Sequence, residues 1–278
     1  MHRTTLERLT APGGGDPLRL VSVARMQGDD ISEGAALSPT RGLYPIHDGI
    51  LNLLPGGRWA ISPAQASNLL LPAAWWYEPL WRTRALSLMS GEPFSLERER
   101  ALFDELLGEP TGTLWLDLAA STALYGRWLA PRLAPGGGEV LALDLSLPML
   151  REAQRRSQAE GQRNISFVLG RGETLPFATA TLDGVLCGGS LNEFGAQGAT
   201  RVLKEVARAL RPGGKALFMH LRTTEQPRGA RLQRYLLRPS GIAFWDRPTT
   251  NRLFAEAGLR VVESRDAGIV AFTVLSRA

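Results

Sequence analysis

The sequence predicts an α/β fold in which a mostly parallel sheet is covered by helices over residues 111–278. Short aliphatic segments alternate with segments of helical apolar spacing from residue 113 onward, which is typical of strand–helix–strand units. The chain then ends with two apolar segments joined at Asp266-Ala267-Gly268. This last pattern predicts a terminal antiparallel hairpin.

The individual elements follow from the same pattern. Five segments predict strands, and in chain order they read TLWLDL, EVLALDL, ISFVLG, LDGVLCG and KALFMHL. Helices are expected at 122–133, 147–160 and 198–210, and a further one from Thr250 to Ala257. Pro212-Gly213-Gly214 marks the end of the third helix and the start of the fifth strand.

Residues 1–110 divide into two parts of different composition. Residues 1–60 are rich in Gly and Pro and predict short strands and turns, with a hairpin turn at Asp48-Gly49. Residues 61–110 have helical spacing, and one helix is expected to start near Ser95. An aromatic cluster within this part predicts either an apolar lid over a substrate mouth or a helix packed on the sheet, and its members are Trp75, Trp76, Tyr77 and Trp81.

The composition is that of a globular protein. The 278 residues are 44% hydrophobic and 21% charged. No apolar run is long enough to span a membrane, and the N-terminus lacks an apolar signal core, so we expect a cytoplasmic location. A single cysteine, Cys187, excludes an intrachain disulfide and a cysteine-rich zinc site, and we expect it in the core.

The excess of basic residues in this chain consists almost entirely of arginine. The net charge is +5, and arginine supplies all but Lys204 and Lys215 of the 32 basic residues. The arginines are spread along the chain and not clustered, which disfavours a nucleic-acid patch without excluding one. A small-molecule substrate is the expected partner, and the oligomeric state stays open.

Two acidic residues stand where parallel sheets bind ligands. Asp117 ends the first predicted strand and Asp144 ends the second, one strand–helix–strand step later. A carboxylate at the second position can accept hydrogen bonds from two ribose hydroxyls. Each acid could instead cap the helix that follows it.

The order of motifs resembles a class I S-adenosylmethionine-dependent methyltransferase over roughly residues 100–278. The segments that carry the resemblance are LDLAASTALYG, LALDLSLPML, FVLGRGETLPF, LDGVLCGGSLNEF and VARALRPGGKALF. The resemblance implies a Rossmann-like seven-stranded sheet and S-adenosylmethionine as cofactor. It places Asp117 and the turn with Ala119, Ser121 and Ala123 at the methionine portion, Asp144 at the ribose, Leu145 and the Gly172 amide at the adenine, and Gly188 beside the methionine amine.

Two departures from the family pattern weaken that expectation. Ala119, Ser121 and Ala123 stand where the family has glycine, and a side chain at a left-handed position costs about 1 kcal/mol. Such a cost would weaken binding about tenfold. Arg171 replaces an Asp that accepts a bond from the adenine amino group, and guanidinium has no acceptor, so it must stack on the base or turn outward.

The N-terminal part carries a second resemblance. Residues 11–20 and 37–55 resemble the two halves of a zinc ribbon found ahead of some methyltransferase domains, including certain ribosomal RNA methyltransferases. The knuckle positions hold residues that cannot ligate zinc, namely Ala11, Gly14, Leu37 and Thr40. We therefore expect a metal-free ribbon that packs on the main domain. His47 alone is one possible ligand, or else a surface residue.

The catalytic residue is not defined by the sequence. Candidates are Asn192 and Glu193 after the fourth strand, and His220 near the end of the fifth strand as a general base or a structural residue. Three functions remain open: methyl transfer to a small or lipophilic acceptor, a pseudo-methyltransferase that acts as a binding or partner subunit, and an RNA methyltransferase.

Overall fold

The structure is a computed structural model that describes residues 1–54, 62–67, 69, 82 and 84–278. The strands are β1 (Arg19–Gln27), β2 (Asp30–Ser38), β3 (Gly42–His47), β4 (Ile50–Asn52), β5 (Leu114–Leu118), β6 (Glu139–Asp144), β7 (Ile165–Leu169), β8 (Leu182–Gly188), β9 (Leu210–Leu221), β10 (Leu259–Ala267) and β11 (Val270–Arg277). The helices are α1 (Arg3–Leu6), α2 (Pro63–Ser67), α3 (Leu86–Ser90), α4 (Leu96–Leu107), α5 (Leu124–Leu133), α6 (Leu147–Ala159), α7 (Gly195–Ala209), α8 (Pro227–Leu232) and α9 (Arg247–Glu256).

The predicted fold class is confirmed by the strand order. Within the sheet the order β7-β6-β5-β8-β9-β11-β10 holds the C-terminal strands. The five strands β5 to β9 run parallel, and β11 is antiparallel to both of its neighbours. From β5 the chain builds outward to β7 and then returns to β8 on the other side of β5. The order therefore reverses beside β5, and the carboxyl ends of β5 and β6 border the crevice where such sheets bind ligands.

The sheet is larger than the seven strands that we expected. β1 to β4 form an antiparallel meander, and β4 pairs in parallel with β7 through Ile50–Phe167, Leu51–Val168 and Asn52–Leu169. The described residues thus form one eleven-stranded sheet. The physical reason is that β7 would otherwise leave an unpaired edge, and β4 satisfies its backbone groups.

Several local expectations are confirmed. Asp48 and Gly49 have φ values of 49° and 77° and form the turn between β3 and β4, as a two-residue hairpin requires. Ser95 caps α4 by accepting the Arg98 backbone N–H at 3.2 Å. α9 begins three residues before the expected Thr250, because Asp246 accepts the Thr249 N–H and caps the helix there.

Apolar side chains cover both faces of the sheet. Leu114, Leu116 and Leu118 pack in one buried cluster, and Trp115 between them packs in the other, as strand alternation requires. The helices cover these two clusters. The aromatic residues of WWYEPLW lie outside the described residues, so both interpretations of that segment stay predictions. None of the described helices has the length and apolar character needed to cross a bilayer.

Candidate cofactor-binding site

A narrow cavity of about 50 Å³ lies at the carboxyl ends of β5, β6 and β7. Most of the residues that the sequence places at a cofactor line it, namely Ala119, Ser121, Asp144, Leu145, Arg171 and Gly172. Gln65 and Leu69 form part of the wall. The space is smaller than the roughly 300–1,000 Å³ of ordinary ligand pockets.

The turn after β5 keeps a glycine geometry without glycine. Ala119, Ser121 and Ala123 have φ values of 51°, 52° and 53°. All three are left-handed, as the glycine pattern predicts, and each costs about 1 kcal/mol. Hydrogen bonds hold the turn in place: Ser121 N–H donates to Asp144 at 2.7 Å, and the Ser190 hydroxyl donates to the Ala119 carbonyl at 3.2 Å.

Glycine at these three positions is expected to leave the free energy of unfolding within about 1 kcal/mol of the natural value. Relief of left-handed strain favours the folded state, and the entropy that glycine adds to the unfolded chain offsets it by about 0.4–1 kcal/mol per position. Ala101 lies inside α4, so Ala101→Gly is the control and should cost about 1 kcal/mol. Denaturant unfolding of the triple variant measures the difference. If each loop position lost as much free energy of unfolding as the control, the three residues would not be under left-handed backbone strain.

Asp144 joins the two loops that border the cavity. Its carboxylate accepts the backbone N–H groups of Ser121 and Ser146, each at 2.7 Å. Burial raises the pKa of Asp144, and backbone N–H groups of Ser121, Ser146 and Leu145 oppose that rise. The side chain is therefore held at the end of β6, and Asp144 lines the cavity.

Asp117 lies behind the cavity and does not line it. Its carboxylate accepts the Gly126 N–H at 2.8 Å in the first turn of α5. Ala123 at the N-cap of that helix has no side-chain acceptor, so Asp117 replaces it. Burial raises the pKa of Asp117 to about 7. Of the two roles left open by the sequence, the geometry provides the cap.

Arg171 faces a carboxylate that the sequence analysis missed. It donates to Glu173 at 2.9 Å, and both side chains line the cavity. Glu173 thus supplies a carboxylate acceptor next to the position where Arg171 replaces the Asp of the family pattern. A side chain at Gly172 between them would be tightly packed, because an added Cβ would lie 3.1 Å from side-chain atoms of Leu118 and Phe194. The sequence signal that could have identified this acceptor is the glutamate two residues after Arg171.

A second cluster that the sequence analysis missed consists of Arg82, Glu99 and Tyr125, which we call the buried ion cluster. Arg82 forms an ion pair with Glu99, and both are buried. The Tyr125 hydroxyl donates to Glu99 at 2.9 Å, and burial raises its pKa well above the ordinary value. Arg82 also donates to the Gly188 carbonyl. The Arg82 guanidinium therefore already donates to the carbonyl beside which the resemblance places the cofactor amine.

The three catalytic candidates lie in different surroundings. Glu193 lines the cavity. The Asn192 amide donates to the carbonyls of Leu221 and Ala243 at 2.8 and 2.6 Å and accepts the Leu221 N–H, so it joins the end of β9 to the loop that contains Ala243. His220 is buried, its Nε2 lies 3.1 Å from the Thr273 hydroxyl, and burial lowers its pKa to about 3. Asn192 and His220 do not line the cavity.

Polar contacts join the two halves of the ribbon-like part. Asp16 in the first half accepts the Thr40 backbone N–H at 3.1 Å and the Ser38 hydroxyl at 3.3 Å in the second half. His47 is exposed and lies 3.1 Å from Glu33. Within residues 1–54 and the other described segments, no group of three or more His, Cys, Asp or Glu side chains could hold a metal ion. The ribbon remains an interpretation.

Comparison with known proteins agrees with this arrangement. Residues 116–214 match the family described as Methyltransferase domain. The chain is 34% identical over 118 residues to demethylmenaquinone methyltransferase of Lactococcus lactis, an alignment that covers 42% of this chain and 46% of the relative. The chain therefore matches about half of the length of this relative.

Solved structures share the fold at low sequence identity. A SAM dependent methyltransferase from Aquifex aeolicus superposes with a TM-score of 0.53 at 18% identity, covering 78% of this chain and 98% of that one. The cyclase SpnF superposes with a TM-score of 0.56 at 14% identity, covering 80% of this chain and 99% of that one. At these identities the similarity concerns the fold alone.

The strand order and the cavity at the reversal point define a Rossmann-like α/β protein with a candidate ligand site at the carboxyl edge of its sheet. More particularly, residues 116–214 match the family described as Methyltransferase domain, and the chain shares its fold with the SAM dependent methyltransferase from Aquifex aeolicus.

Proposed function

We propose that this chain binds S-adenosylmethionine at the cavity and transfers its methyl group to a lipophilic acceptor. The observation that carries the proposal is Asp144, held at the end of β6 beside the left-handed turn in a methyltransferase domain. The name of the Lactococcus relative supports a lipophilic quinone as the class of acceptor. Methyl transfer needs proximity and alignment more than a strong base, which agrees with the absence of a diagnostic catalytic residue among the described residues.

The residues that line the cavity have separate proposed roles. Asp144 accepts hydrogen bonds from the ribose hydroxyls, Leu145 packs on the adenine, and the Gly172 backbone N–H faces the base. Glu173 accepts the adenine amino hydrogen, and Arg171 orients Glu173 through their 2.9 Å contact. Asp117 acts indirectly by capping α5. Glu193 is the candidate that lies close enough to the cavity to contact an acceptor.

The bound cofactor supplies an electrophilic methyl group. The chain's own contribution is to hold the nucleoside and to exclude water around the reacting atoms. We infer that the wall that contains Gln65 and Leu69 moves when the nucleoside enters, because the cavity is narrow. Part of the binding free energy would then be spent on that movement, and we expect weak affinity.

Glu173→Ala is expected to weaken S-adenosylmethionine binding by about 1.5–3 kcal/mol, the range for a hydrogen bond to a charged group. Calorimetric titration measures this loss. The analogue of the cofactor with unsubstituted purine in place of adenine lacks the amino donor, so its affinity should be the same for the variant and the natural chain. Glu160→Ala is the control, because Glu160 also pairs with an arginine, Arg127, but does not line the cavity. Equal losses for both ligands would place Glu173 away from the adenine.

A specific observation favours the second candidate, a pseudo-methyltransferase. Arg82 donates to the Gly188 carbonyl, so the buried ion cluster lies beside the residue where the resemblance places the methionine amine. In that case the fold serves as a binding or partner subunit. The titration of the natural chain separates the two functions: measurable heat with S-adenosylmethionine supports the enzyme, and the absence of binding at millimolar ligand supports the pseudo-methyltransferase.

A further inference from the structure

The segment from Arg228 to Arg238 exposes arginines together with apolar side chains. It consists of α8 and a turn of wider helix at Gln233–Leu237. Gly229, Gln233 and Leu237 are buried at every fourth position, so they form the inner face. We call the opposite side the basic face, and its exposed members are Arg228, Arg231, Arg234, Tyr235, Leu236 and Arg238.

Two features of the basic face are unusual for a surface that contacts only water. Tyr235 is 69% exposed and Leu236 is 62% exposed, whereas folding generally covers adjacent large apolar groups. The Arg234 guanidinium lies 5.4 Å from the Tyr235 ring centre. Across the groove beside α8, Leu88 is 48% exposed and lines the groove together with Arg228.

The charge of this segment has one sign. No Asp or Glu occurs between Glu225 and Asp246. Among the ion pairs of the described residues, none involves Arg231 or Arg234. A surface with unpaired arginines beside an exposed Tyr and Leu is complementary to an anionic bilayer, where phosphate groups lie above the acyl chains.

The basic face is close to the candidate site. The Ser240 carbonyl, just after the wider turn, accepts the Ala64 N–H at 2.9 Å in α2. An added Cβ on Gly241 would lie 2.6 Å from the Ser62 Cβ, so the two segments are in contact. Gln65 and Leu69 follow directly and line the cavity. A surface that binds the basic face therefore lies beside the wall of the cavity.

We propose that the basic face docks on anionic lipid bilayers, with Tyr235 and Leu236 inserted at the headgroup level and the arginines on lipid phosphates. Tyrosine suits that position because its ring is apolar and its hydroxyl remains hydrated. Docking presents the cavity to an acceptor dissolved in the membrane. This last step rests on the proposed function, whereas the docking itself does not.

The test is sedimentation of the full chain with vesicles of phosphatidylcholine alone or mixed with phosphatidylglycerol. We expect binding to the mixed vesicles, weaker binding to phosphatidylcholine alone, and a decrease with added salt. Arg231→Glu/Arg234→Glu should lower the affinity about tenfold or more. Arg163→Glu/Arg260→Glu changes the net charge equally at exposed positions elsewhere and should lower it much less.

The apolar contribution has its own matched pair. Leu236→Ser should weaken binding to the mixed vesicles, and Leu43→Ser, at a residue that is 65% exposed on β3, should not. Absence of binding to the mixed vesicles, equal binding to both compositions, or equal losses in the variants and their controls would overturn the proposal. Binding of poly(U) RNA that is lost with Arg231 and Arg234, without vesicle binding, would also overturn it and assign the face to nucleic acid.

Titration of the same variants with S-adenosylmethionine separates this proposal from the proposed function. The variants of the basic face should keep the cofactor affinity of the natural chain. If the natural chain binds vesicles and not the cofactor, the docking proposal stands and the proposed methyltransferase function fails. If it binds the cofactor and not vesicles, the proposed function stands and the docking proposal fails.

Discussion

Glu99→Ala is expected to lower the free energy of unfolding by about 3–5 kcal/mol, the usual cost of removing one partner of a buried ion pair. Glu99 has no exposed surface, and Arg82 is 5% exposed. The substitution leaves the guanidinium buried without its carboxylate, and it leaves the Tyr125 hydroxyl without its acceptor. Urea unfolding monitored by circular dichroism measures the change.

Two further variants isolate the cause of that loss. Glu99→Gln retains an acceptor for Tyr125 and removes the charge, so the difference between the two variants at Glu99 measures the hydrogen bond. Glu7→Ala removes a pair with Arg3 in which both side chains are exposed, and it should cost less than about 1 kcal/mol. A similar small cost for Glu99→Ala would show that the cluster is hydrated and that Arg82 can leave the Gly188 carbonyl easily.

Asp144→Ala is expected to weaken S-adenosylmethionine binding by about 1.5–3 kcal/mol, because two hydroxyls lose a charged acceptor. The same change should lower the free energy of unfolding by about 1–3 kcal/mol, since the N–H groups of Ser121 and Ser146 lose their partner. Calorimetric titration at a temperature where the variant is folded measures the first effect, and denaturant unfolding measures the second.

Asp183 offers a control with nearly the same geometry. Its carboxylate accepts the backbone N–H groups of Thr113 and Leu114 at 2.7 and 2.8 Å, at the opposite end of β5 from the cavity. Asp183→Ala should therefore lower stability and leave cofactor affinity unchanged. Unchanged affinity in a folded Asp144→Ala variant would show that the ribose lies elsewhere or that the cavity holds no cofactor.

The parts of the fold that could be predicted depend on local signals. The structure contains four expected features: the strands of residues 111–278, the terminal hairpin, the turn at Asp48-Gly49 and the cap at Ser95. Alternating apolar segments and turn residues act over a few positions, so the sequence carries this information directly. The left-handed turn was also expected from a local signal. Ala119, Ser121 and Ala123 have the spacing of the family's glycines, although none of them is glycine.

The parts that could not be predicted depend on distant partners. β4 has three residues, and its pairing with β7 joins segments more than a hundred positions apart. The pairing of Arg171 with Glu173 is the exception, because these residues are two positions apart and the sequence analysis overlooked a local signal. No pattern in the sequence indicates that Arg82 and Glu99 meet or that Arg82 reaches Gly188.

The sequence by itself therefore determined the class of fold, the order of its main elements and the position of the candidate site at the ends of β5 and β6. These follow from periodicity and turn chemistry, which are local. The tertiary structure alone decided how the N-terminal strands extend the sheet, that Asp117 caps α5, that His220 is buried and neutral, and which groups line the cavity. Those outcomes depend on burial and on contacts between distant segments, which exist only after the chain has packed.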